Sequence, residues 1–465
     1  MASSRPSRRD RARGPAPVVD PTGWNAGDAL KWLDGHVNLE SLGAPPQAPR
    51  RSSALALDRV RPLVELLGSP QASYPAIHLT GTNGKTSVAR MVSALLHASG
   101  LSVGTYTSPH LQRVNERIAW NGEAIDDPTL AALLASMAPV EAHVMDRLDG
   151  DRPSYFEILT AAALGWFADV AVDVAVVEVG MGGGRDATNV VDGRVAVVTN
   201  VSIDHVEYLG PELAGIAAEK AGIVKERSTL VLGDVDPEIA PVFLGAGAAS
   251  VAAYGIDFGV HADRPAHGGR VLDLWTPDTR YDEVFLPLHG AHQARNAAVA
   301  VAAAEAFLGR PLGHGVVDEA LGAVRAPGRL EIVGRQPLVL LDGAHNVAGA
   351  HALRAALADE FPDAPRTLVV GLLREKDPSE MLEALGALDA ARLVCCAPPS
   401  PRALDPDTVA DAAAALGVER NRIEVVTSVE DAVTRALALA QPDEQVVVTG
   451  SLYVVGAARH RLVPE

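Results

Sequence analysis

The chain has 465 residues, with 58 acidic side chains against 40 lysines and arginines, so its formal net charge is −18 at pH 7. Apolar residues make up 48% of the chain and charged residues 21%, which is typical of a soluble globular protein with two or three domains. The acidic balance argues against a general nucleic-acid or membrane-surface binder. An anionic ligand would therefore need locally placed positive groups.

The N-terminus and the cysteines bear on the compartment. Residues 1–21 contain arginines at positions 5, 8, 9, 11 and 13 and lack the apolar stretch of a secretory signal, so we interpret them as a flexible tail. The longest apolar stretch, residues 161–179, is interrupted by three acidic residues, which is too charged for a membrane span. Cys395 and Cys396 are adjacent in an apolar run and are predicted to be core residues. We expect a cytoplasmic protein.

Residues 77–87 read Ile-His-Leu-Thr-Gly-Thr-Asn-Gly-Lys-Thr-Ser. An apolar segment runs into a glycine-containing turn, and a helical pattern follows from Val88, which is typical of a loop that cradles phosphates with its backbone N–H groups. Lys85 would reach the terminal phosphates, and Thr86 or Ser87 would hold Mg²⁺. Leu79 stands where the usual motif has its first glycine, so an ordinary strand–turn–helix stays open on this segment alone.

Between residues 76 and 310, apolar runs of strand length alternate with helical patterns. Continuous Val- and Ala-rich strands separated by helices predict a parallel sheet covered on both faces. The predicted strands are 76–80, 103–107, 172–179, 195–199 and 229–232. The predicted helices are 87–98, 155–167, 214–221 and 294–308. Residues 250–288 carry short segments and turn residues, and we interpret them as a β-rich excursion within this domain.

Proline and glycine in residues 326–330 predict a linker between domains spanning 22–325 and 331–465. After it the alternation restarts, and the predicted elements are strand 338–341, helix 348–360, strand 367–371 and strand 446–449. The fold class is therefore α/β, with a P-loop parallel-sheet ATPase domain followed by a smaller, Rossmann-like open α/β domain.

Polar residues follow two further predicted strands. Glu178 ends one buried strand, and Asp204 and His205 follow the next. Ligands of open α/β sheets bind beyond the carboxyl ends of the strands, where carboxylate and imidazole groups can hold a metal ion. A solvated acid or a surface histidine is the ordinary alternative at each position taken alone. Three successive strand ends with such groups favour a site.

At this point the pattern resembles the folylpolyglutamate synthase/dihydrofolate synthase family of the Mur ligase superfamily. The resemblance covers about residues 25–455 in the right order. It rests on the phosphate loop and on residues 107–111, 154–157, 178–189, 202–205, 219–223, 290–296, 327–329, 341–346 and 449–453.

The resemblance implies roles for named residues. The phosphates of ATP would be wrapped by Asn83, Gly84, Lys85, Thr86 and Ser87, and the nucleotide would be contacted further by Asn296, Arg329 and Asp342. One Mg²⁺ would be held by Ser108 and Glu178, a second by His205 and Glu178, and K⁺ is a further candidate ion. Lys220 matches a family lysine that is carbamylated, and His345 would reach the transferred phosphate.

The resemblance also implies the binding sites of the other substrates. The pterin would be bound by two segments, the first with Ser154, Tyr155, Phe156 and Glu157 and the second with Arg185, Asp186 and Ala187. The incoming glutamate would be bound by Ser451. Core packing at helical spacing is a serious alternative for Phe156.

Two departures from the family pattern qualify these assignments. Thr86 stands where many folate ligases have glycine, which is closer to the Mur enzymes. The usual Gly-Gly-Arg-x-Asp is here Gly-Gly-Gly-Arg-Asp, which shifts Arg185 by one residue and puts its substrate contact in doubt.

The function implied is an ATP-dependent ligase, expected to be a monomer, that adds L-glutamate to dihydropteroate, to folylglutamates, or to both through an acyl phosphate. One alternative is a cell-wall Mur ligase, which the segments at 107–111 and 154–157 disfavour. A nucleotide-dependent switch is another, although it would not need Glu178, His205, Lys220 and His345 together. The sequence leaves open which folate is preferred and how long the product chain is.

Overall fold

The computed structural model describes residues 23–42, 57–148, 150–362 and 364–463. The predicted tail, residues 1–21, lies outside these ranges. The helices are α1 Ala26–Asp34, α2 Leu39–Leu42, α3 Val60–Leu66, α4 Lys85–Ala98, α5 Asp127–Arg147, α6 Tyr155–Asp169, α7 Val206–Leu209, α8 Leu213–Ala221, α9 Ala240–Leu244, α10 Ala291–Leu308, α11 His314–Ala323, α12 Val347–Glu360, α13 Pro378–Leu385, α14 Pro406–Ala415, α15 Val429–Leu439 and α16 Leu452–Leu462.

The strands form three sheets. They are β1 Ala76–Thr80, β2 Val103–Tyr106, β3 Ile118–Trp120, β4 Glu123–Ala124, β5 Val174–Glu178, β6 Gly193–Val198, β7 Thr229–Leu232, β8 Ser250–Ala253, β9 Gly259–Ala266, β10 Gly269–Trp275, β11 Arg280–Leu286, β12 Glu331–Arg335, β13 Leu338–Leu341, β14 Arg366–Val370, β15 Arg392–Cys395, β16 Ile423–Val425 and β17 Gln445–Thr449.

The first sheet has eight strands in the order β4-β3-β2-β5-β1-β6-β7-β8. Its strands are parallel except at the edge, where β2, β3 and β4 pair antiparallel. Every residue of β1 and β5 is buried, as expected for central strands covered by helices on both faces. Because β1 lies between β5 and β6, the loops that follow these three strands meet at one edge of the sheet.

The predicted strands of this domain are confirmed, with ends that differ by at most two residues. The predicted start of helix 87–98 was late, since α4 begins at Lys85. Gly84 there adopts the left-handed conformation with φ 82° and its carbonyl accepts the first helical hydrogen bond, from the N–H of Val88. The β-rich excursion is also confirmed, because β8 extends the large sheet and β9–β11 form an antiparallel sheet of their own.

The second α/β unit contains a six-stranded sheet in the order β12-β13-β17-β14-β15-β16, parallel except for β12. Apolar side chains pack on both faces of this sheet. Cys395 and Cys396 are both free and buried, which confirms their prediction as core residues. None of the described helices has both the length and the apolar composition to cross a membrane.

Candidate active site

A cavity of about 570 Å³ is lined by the loops that follow β1, β5 and β6 of one sheet and β13 and β17 of the other. Most of the predicted site residues meet there, and two of them, Tyr155 and Lys220, do not line it. The predicted residues in its wall are Asn83, Gly84, Lys85, Thr86, Ser87, Ser108, Ser154, Phe156, Glu157, Glu178, Arg185, Asp186, Ala187, His205, Asn296, Arg329, Asp342, His345 and Ser451.

The phosphate loop is held in place by residues that follow β6. The amide of Asn83 donates to the Asn200 side chain at 3.0 Å, and its carbonyl accepts from Thr199 and from Asn200 at 2.7 and 2.9 Å. A Cβ at Gly84 would lie 2.6 Å from the Asn296 side chain, so only glycine fits between the loop and α10. Asn200 was missed as a site residue, although it directly follows a predicted strand.

Lys85 lies in the first turn of α4 and folds back over its own loop. Its Nζ donates to the carbonyl oxygens of Gly81 and Thr82 at 3.1 and 3.2 Å. Gly81 has φ 150°, and a Cβ there would collide with Thr199. The ammonium group is therefore at the mouth of the loop, where a phosphate chain would be received.

Glu178 is a buried carboxylate, 1% exposed, at the end of β5. Its hydrogen-bond donors are neutral: the Thr86 hydroxyl contacts both oxygens at 3.0 Å and the Ser108 amide lies at 3.4 Å. Burial raises the pKa of Glu178 to about 7, although the charge of Lys85 opposes the shift. A buried carboxylate beside the Thr86 hydroxyl offers the oxygen ligands that Mg²⁺ prefers, with nucleotide phosphates as further ligands.

His205 lies in the left-handed conformation, with φ 51°, at the start of α7. Burial lowers its pKa to about 4 although Asp204 opposes the shift, so the ring is neutral at pH 7, which is the form that binds metals. In the described part of the chain, no three His, Cys, Asp or Glu side chains are grouped to hold a metal by themselves. The two-ion arrangement stays a prediction.

Lys220 is buried in α8 beside a small cavity that it shares with Gly81, Lys85, Asp204 and His205. Its Nζ donates to the Gly81 carbonyl at 2.8 Å, the oxygen that also accepts from Lys85. Burial and the charge of Lys85 lower the pKa of Lys220 to about 7. A substantial share of this amine is therefore neutral at physiological pH.

The glycine-rich loop after β5 packs directly on α8. A Cβ at Gly183 would lie 2.7 Å from the Glu219 carbonyl, so the close contact requires glycine. Arg185 then pairs with Glu219, with Nε 2.9 Å from the carboxylate and with its amide also donating to it. The contact explains the shifted arginine, because its charge is used to hold the loop on the helix that carries Lys220.

Asp204, which sequence analysis named only as a possible metal ligand, joins the two units. It accepts from Lys376 at 2.6 Å and from the Asn346 amide at 2.8 Å, and His345 Nε2 lies 3.7 Å away. Burial opposes ionisation of Asp204, yet the cations around it hold its pKa below its usual range. Burial also lowers the pKa of His345, although Asp204 opposes the shift.

The nucleotide residues predicted around the linker lie close together. Asp342 accepts from the amides of Leu330 and Ala344 at 2.8 and 2.9 Å, which ties the linker to the start of the second sheet. A Cβ at Gly343 would lie 2.4 Å from the guanidinium of Arg329, so that side chain crosses directly over the loop. His345 Nδ1 pairs with the Gly343 carbonyl at 2.8 Å, which orients the other ring nitrogen toward Asp204.

The predicted pterin segment divides into structural and cavity-facing residues. Ser154 and Glu157 form a capping box at the start of α6, and Glu157 is also held by Arg59 through two hydrogen bonds of 2.9 and 3.0 Å. Phe156 faces the cavity and packs over Gly180. Tyr155 is 2% exposed, and the Arg117 guanidinium lies 5.5 Å from its ring centre, so its side chain packs in the core and its substrate role stays a prediction.

The other predicted substrate residues also make local contacts. Asp186 is buried and accepts from the Met181 amide at 2.9 Å and from Thr188, which fixes the turn that presents Ala187 to the cavity. Ser451 caps α16 by accepting from the amide of Tyr453 at 3.2 Å. Both side chains therefore have structural partners as well as cavity-facing positions.

A short N-terminal segment also lines the cavity and was missed. The Glu40 carboxylate binds the buried guanidinium of Arg117, while its carbonyl accepts from Arg402 at 2.8 Å and from Tyr453 at 2.9 Å. Arg402 and Tyr453 belong to the second unit, so α2 bridges the two. The sequence offers no local signal for this contact, because its partners lie up to 413 positions away.

Comparison with known proteins defines the class. Residues 79–304 match the Mur ligase middle domain, and residues 328–452 match the Mur ligase glutamate ligase domain. The fold and the site thus define an ATP-dependent acid–amino-acid ligase. The chain spans both of the domains that carry this chemistry.

The relatives narrow the class to one family. The chain is 43% identical over 439 residues to the dihydrofolate synthase/folylpolyglutamate synthase of Mycobacterium tuberculosis, covering 87% of this chain and 89% of the relative. It is 33% identical to the enzyme of the same name from Bacillus subtilis, covering 94% and 98%. The chain belongs to the dihydrofolate synthase/folylpolyglutamate synthase family, and the predicted resemblance is confirmed.

Solved structures agree with this assignment. The M. tuberculosis folylpolyglutamate synthase complexed with ADP and AMPPCP superposes with a TM-score of 0.85 at 43% identity, covering 88% of this chain and 96% of that one. An FPGS–AMPPCP–folate complex gives a TM-score of 0.78 at 31% identity, covering 95% and 100%. The predicted α/β fold class is confirmed.

Proposed function

We propose that this ligase adds L-glutamate to dihydropteroate, to folylglutamates, or to both, with ATP as the energy source. The observation that carries the proposal is one continuous cavity, which joins the phosphate loop, the Phe156 segment and Ser451. The first unit, residues 22–325, would supply ATP and pterin contacts. The second, residues 331–465, would supply the glutamate site, with 326–330 as the linker between them.

The chemistry follows from these positions. A carboxylate oxygen of the folate substrate attacks the γ-phosphorus of ATP, and the bond between that phosphorus and the β,γ-bridging oxygen breaks. ADP departs, and the folate substrate becomes an acyl phosphate. The α-amine of glutamate then attacks the acyl carbon, phosphate leaves, and the nitrogen loses a proton as the amide forms. Lys85 stabilises negative charge on the transferring group, and His345 contacts it from the second unit.

Magnesium would be held by Glu178, Ser108 and Thr86, with His205 and Glu178 at a second position, and K⁺ is a further candidate. The divalent ions would supply charge neutralisation on the phosphates. Lys220 would add to this arrangement after carbamylation, because its neutral amine can form an N–C bond with CO₂ and release a proton. The product is a carboxylate beside His205, where an ammonium group would repel the cations.

Closure of the two units excludes water from the acyl phosphate, which would otherwise hydrolyse. Asp204 contributes to this closure, since its partners Lys376, His345 and Asn346 all come from the second unit. We also expect the enzyme to be cytoplasmic and to act as a monomer. Its elution volume in size-exclusion chromatography would test the monomeric state.

A phosphate-release assay tests the proposal directly. The enzyme is supplied with ATP, Mg²⁺ and L-glutamate, and dihydropteroate or tetrahydrofolate is added in separate reactions. Glutamate-dependent phosphate release with either acceptor supports the proposal, and comparison of the two separates a monofunctional from a bifunctional enzyme. Phosphate release that needs no glutamate, or none with either acceptor, contradicts it. Mass spectrometry of the products counts the glutamates added.

A further inference from the structure

Helix α12 spans the boundary between the two units and is attached to the first unit at both ends. It has 14 residues, which at ~1.5 Å per residue gives a length of about 20 Å. Its first end follows His345 directly in the chain. Its last residue, Glu360, lies outside the wall of the active-site cavity.

The first end is fixed inside the active site. Asn346 caps α12 by accepting from the amide of Gly349 at 2.8 Å. The same side-chain amide donates to Asp204 at 2.8 Å and to Asn83 of the phosphate loop at 3.1 Å. This end alone would let the helix pivot about a single point.

The second, C-terminal end of α12 is fixed by a cluster of charged groups around Glu360. The carboxylate of Glu360 accepts from Arg270, from the His289 ring and from the amide of Gly290 at 2.6 Å. Arg270 also binds the neighbouring Asp359 at 2.9 Å and is tied to its own sheet by Asp263. The side chains of Arg270 and Glu360 are 3% and 4% exposed, so solvent screens their attraction little.

The cluster also touches the nucleotide-binding side of the first unit. Gly290 immediately precedes α10, the helix that carries Asn296. A Cβ at Gly290, which has φ 93°, would lie 3.2 Å from the Cβ of Ala356, so α12 packs closely on this turn. The orientation of α12 is therefore determined by three attachments along its length: Asn346, Ala356 and Glu360.

We propose that Glu360 is a positioning residue for the ligase reaction, because its contacts with Arg270, His289 and Gly290 fix the far end of α12 and thereby hold His345 over the phosphate loop. The inference rests on the proposed role of His345 in naming what is positioned. Fixing both ends of a rigid helix sets its angle, whereas one end fixes only a pivot. Loss of the far attachment leaves the active-site residues intact but populates orientations in which His345 is displaced.

The test compares Glu360→Gln with a matched control, Glu444→Gln. Glu444 is also a partly buried carboxylate paired with an arginine, Arg392 at 3.0 Å, but both residues lie within the second unit. We expect Glu360→Gln to lower kcat about tenfold and to increase the radius of gyration measured by X-ray scattering with AMPPCP bound. The control should change neither, and both variants should keep wild-type circular dichroism.

Two results would overturn the proposal. One is a Glu360→Gln enzyme with wild-type kcat and only a lower melting temperature, which would make the cluster a stability element. The other is a reduced kcat with an unchanged radius of gyration. Because the scattering measurement needs no turnover, it tests the positioning even if the wild-type enzyme proved inactive with both folate acceptors. Glu360→Asp, which keeps the charge, should recover part of the lost rate.

Discussion

Glu178 and Asp204 are both buried carboxylates at the strands that flank β1, Glu178 as the last residue of β5 and Asp204 in the loop after β6, yet their surroundings differ. Glu178 is surrounded by neutral donors from its own unit, and burial raises its pKa to about 7. Asp204 is also buried, but Lys376 and Asn346 from the second unit bind it, and its pKa lies below the usual range. One acid lacks a bound cation among its hydrogen-bond donors, and the other has one supplied by the protein itself.

The difference in surroundings suits the two carboxylates to different functions at the same edge of the sheet. An acid that stays uncompensated in the folded protein binds an incoming cation strongly, since the cation removes the cost of burying the charge. An acid already paired across the domain boundary is unsuited to a metal, but its ion pair forms only when the second unit is docked on the first. If Glu178 holds Mg²⁺ as proposed, stability is given up there for ligand binding, while Asp204 gains stability only when the units meet.

The largest effect is expected for Lys85, whose charge acts on the Glu178 side of this comparison. Lys85→Ala should reduce kcat at least ~100-fold, or about 2.7 kcal/mol of barrier, because no neighbouring cation replaces its contact with the transferring phosphate. Steady-state kinetics and circular dichroism on the same preparation check this. A folded mutant that kept more than about a tenth of the wild-type rate would remove the phosphate assignment.

The two carboxylates should respond to neutralisation with opposite signs. Without ligands at pH 8, Glu178→Gln should raise the free energy of unfolding by about 2–3 kcal/mol, since wild-type Glu178 is ionised above its pKa of about 7 and burying that charge is costly. Asp204→Asn should lower it by about 2 kcal/mol, because Lys376 loses its buried partner. Calorimetric melting of both variants beside wild type measures this.

The pH dependence sharpens the contrast. Glu178 has a raised pKa, so its native state takes up a proton as the pH falls through about 7, and the advantage of Glu178→Gln should disappear by pH 5. Asp204 has a lowered pKa, so the stability that it contributes is present above its ordinary pKa of about 3.8 and persists at pH 5. If both variants changed the melting temperature in the same direction at pH 8, the proposed contrast between Glu178 and Asp204 would be wrong.

Carbamylation of Lys220 would place a third carboxylate between these two. We expect Lys220→Ala to lower kcat about 30-fold, roughly 2 kcal/mol, and a short carboxylic acid that fills the vacated space to restore part of the rate. Carbon-13 NMR of enzyme prepared in labelled bicarbonate should show a carbamate carbon that is lost in the mutant. An alanine variant with full activity would rule the modification out as a catalytic requirement.

The smallest effect is expected on the Asp204 side. His345→Ala should lower kcat about tenfold while the ATP Kd changes little, because its contact is made chiefly in the transition state. Equilibrium binding of AMPPCP, kcat and melting temperature on one preparation separate this from scaffolding. An unchanged kcat with a depressed melting point would show that the ring only supports its loop through the Gly343 carbonyl.

Local patterns explain what the sequence could predict. The phosphate loop and the strand that ends at Glu178 depend on neighbours within a few residues, so their residue types identify them. Family resemblance then predicted residues that nearly all lie in the cavity wall, although many other residues of that wall were not predicted. Tyr155 and Lys220 are the two predicted residues that do not line it. Tyr155 lies between cavity-facing neighbours on the first turn of α6, and its contact with the buried Arg117 shows which way its ring points.

Distant pairs explain what could not be predicted. Asp204 and Lys376 are 172 positions apart, and Glu40 and Arg402 are 362 apart. No periodicity or spacing in one sequence links such residues. The start of α4 was missed for a different reason, since Gly84 adopts a left-handed conformation that only the folded loop requires.

The Gly81 carbonyl accepts hydrogen bonds from the amines of both Lys85 and Lys220. This shared contact bears on whether Lys220 reacts with CO₂ before or after nucleotide binds. Two ammonium groups on one oxygen repel each other, so Lys220 gives up its proton most easily while Lys85 stays folded back on the loop. Bound phosphates would draw Lys85 away and bring negative charge, which would favour the protonated, unreactive form of Lys220. If Lys220 is carbamylated as proposed, newly made enzyme would react with CO₂ before its first nucleotide binds, and early saturation with ATP would delay the modification.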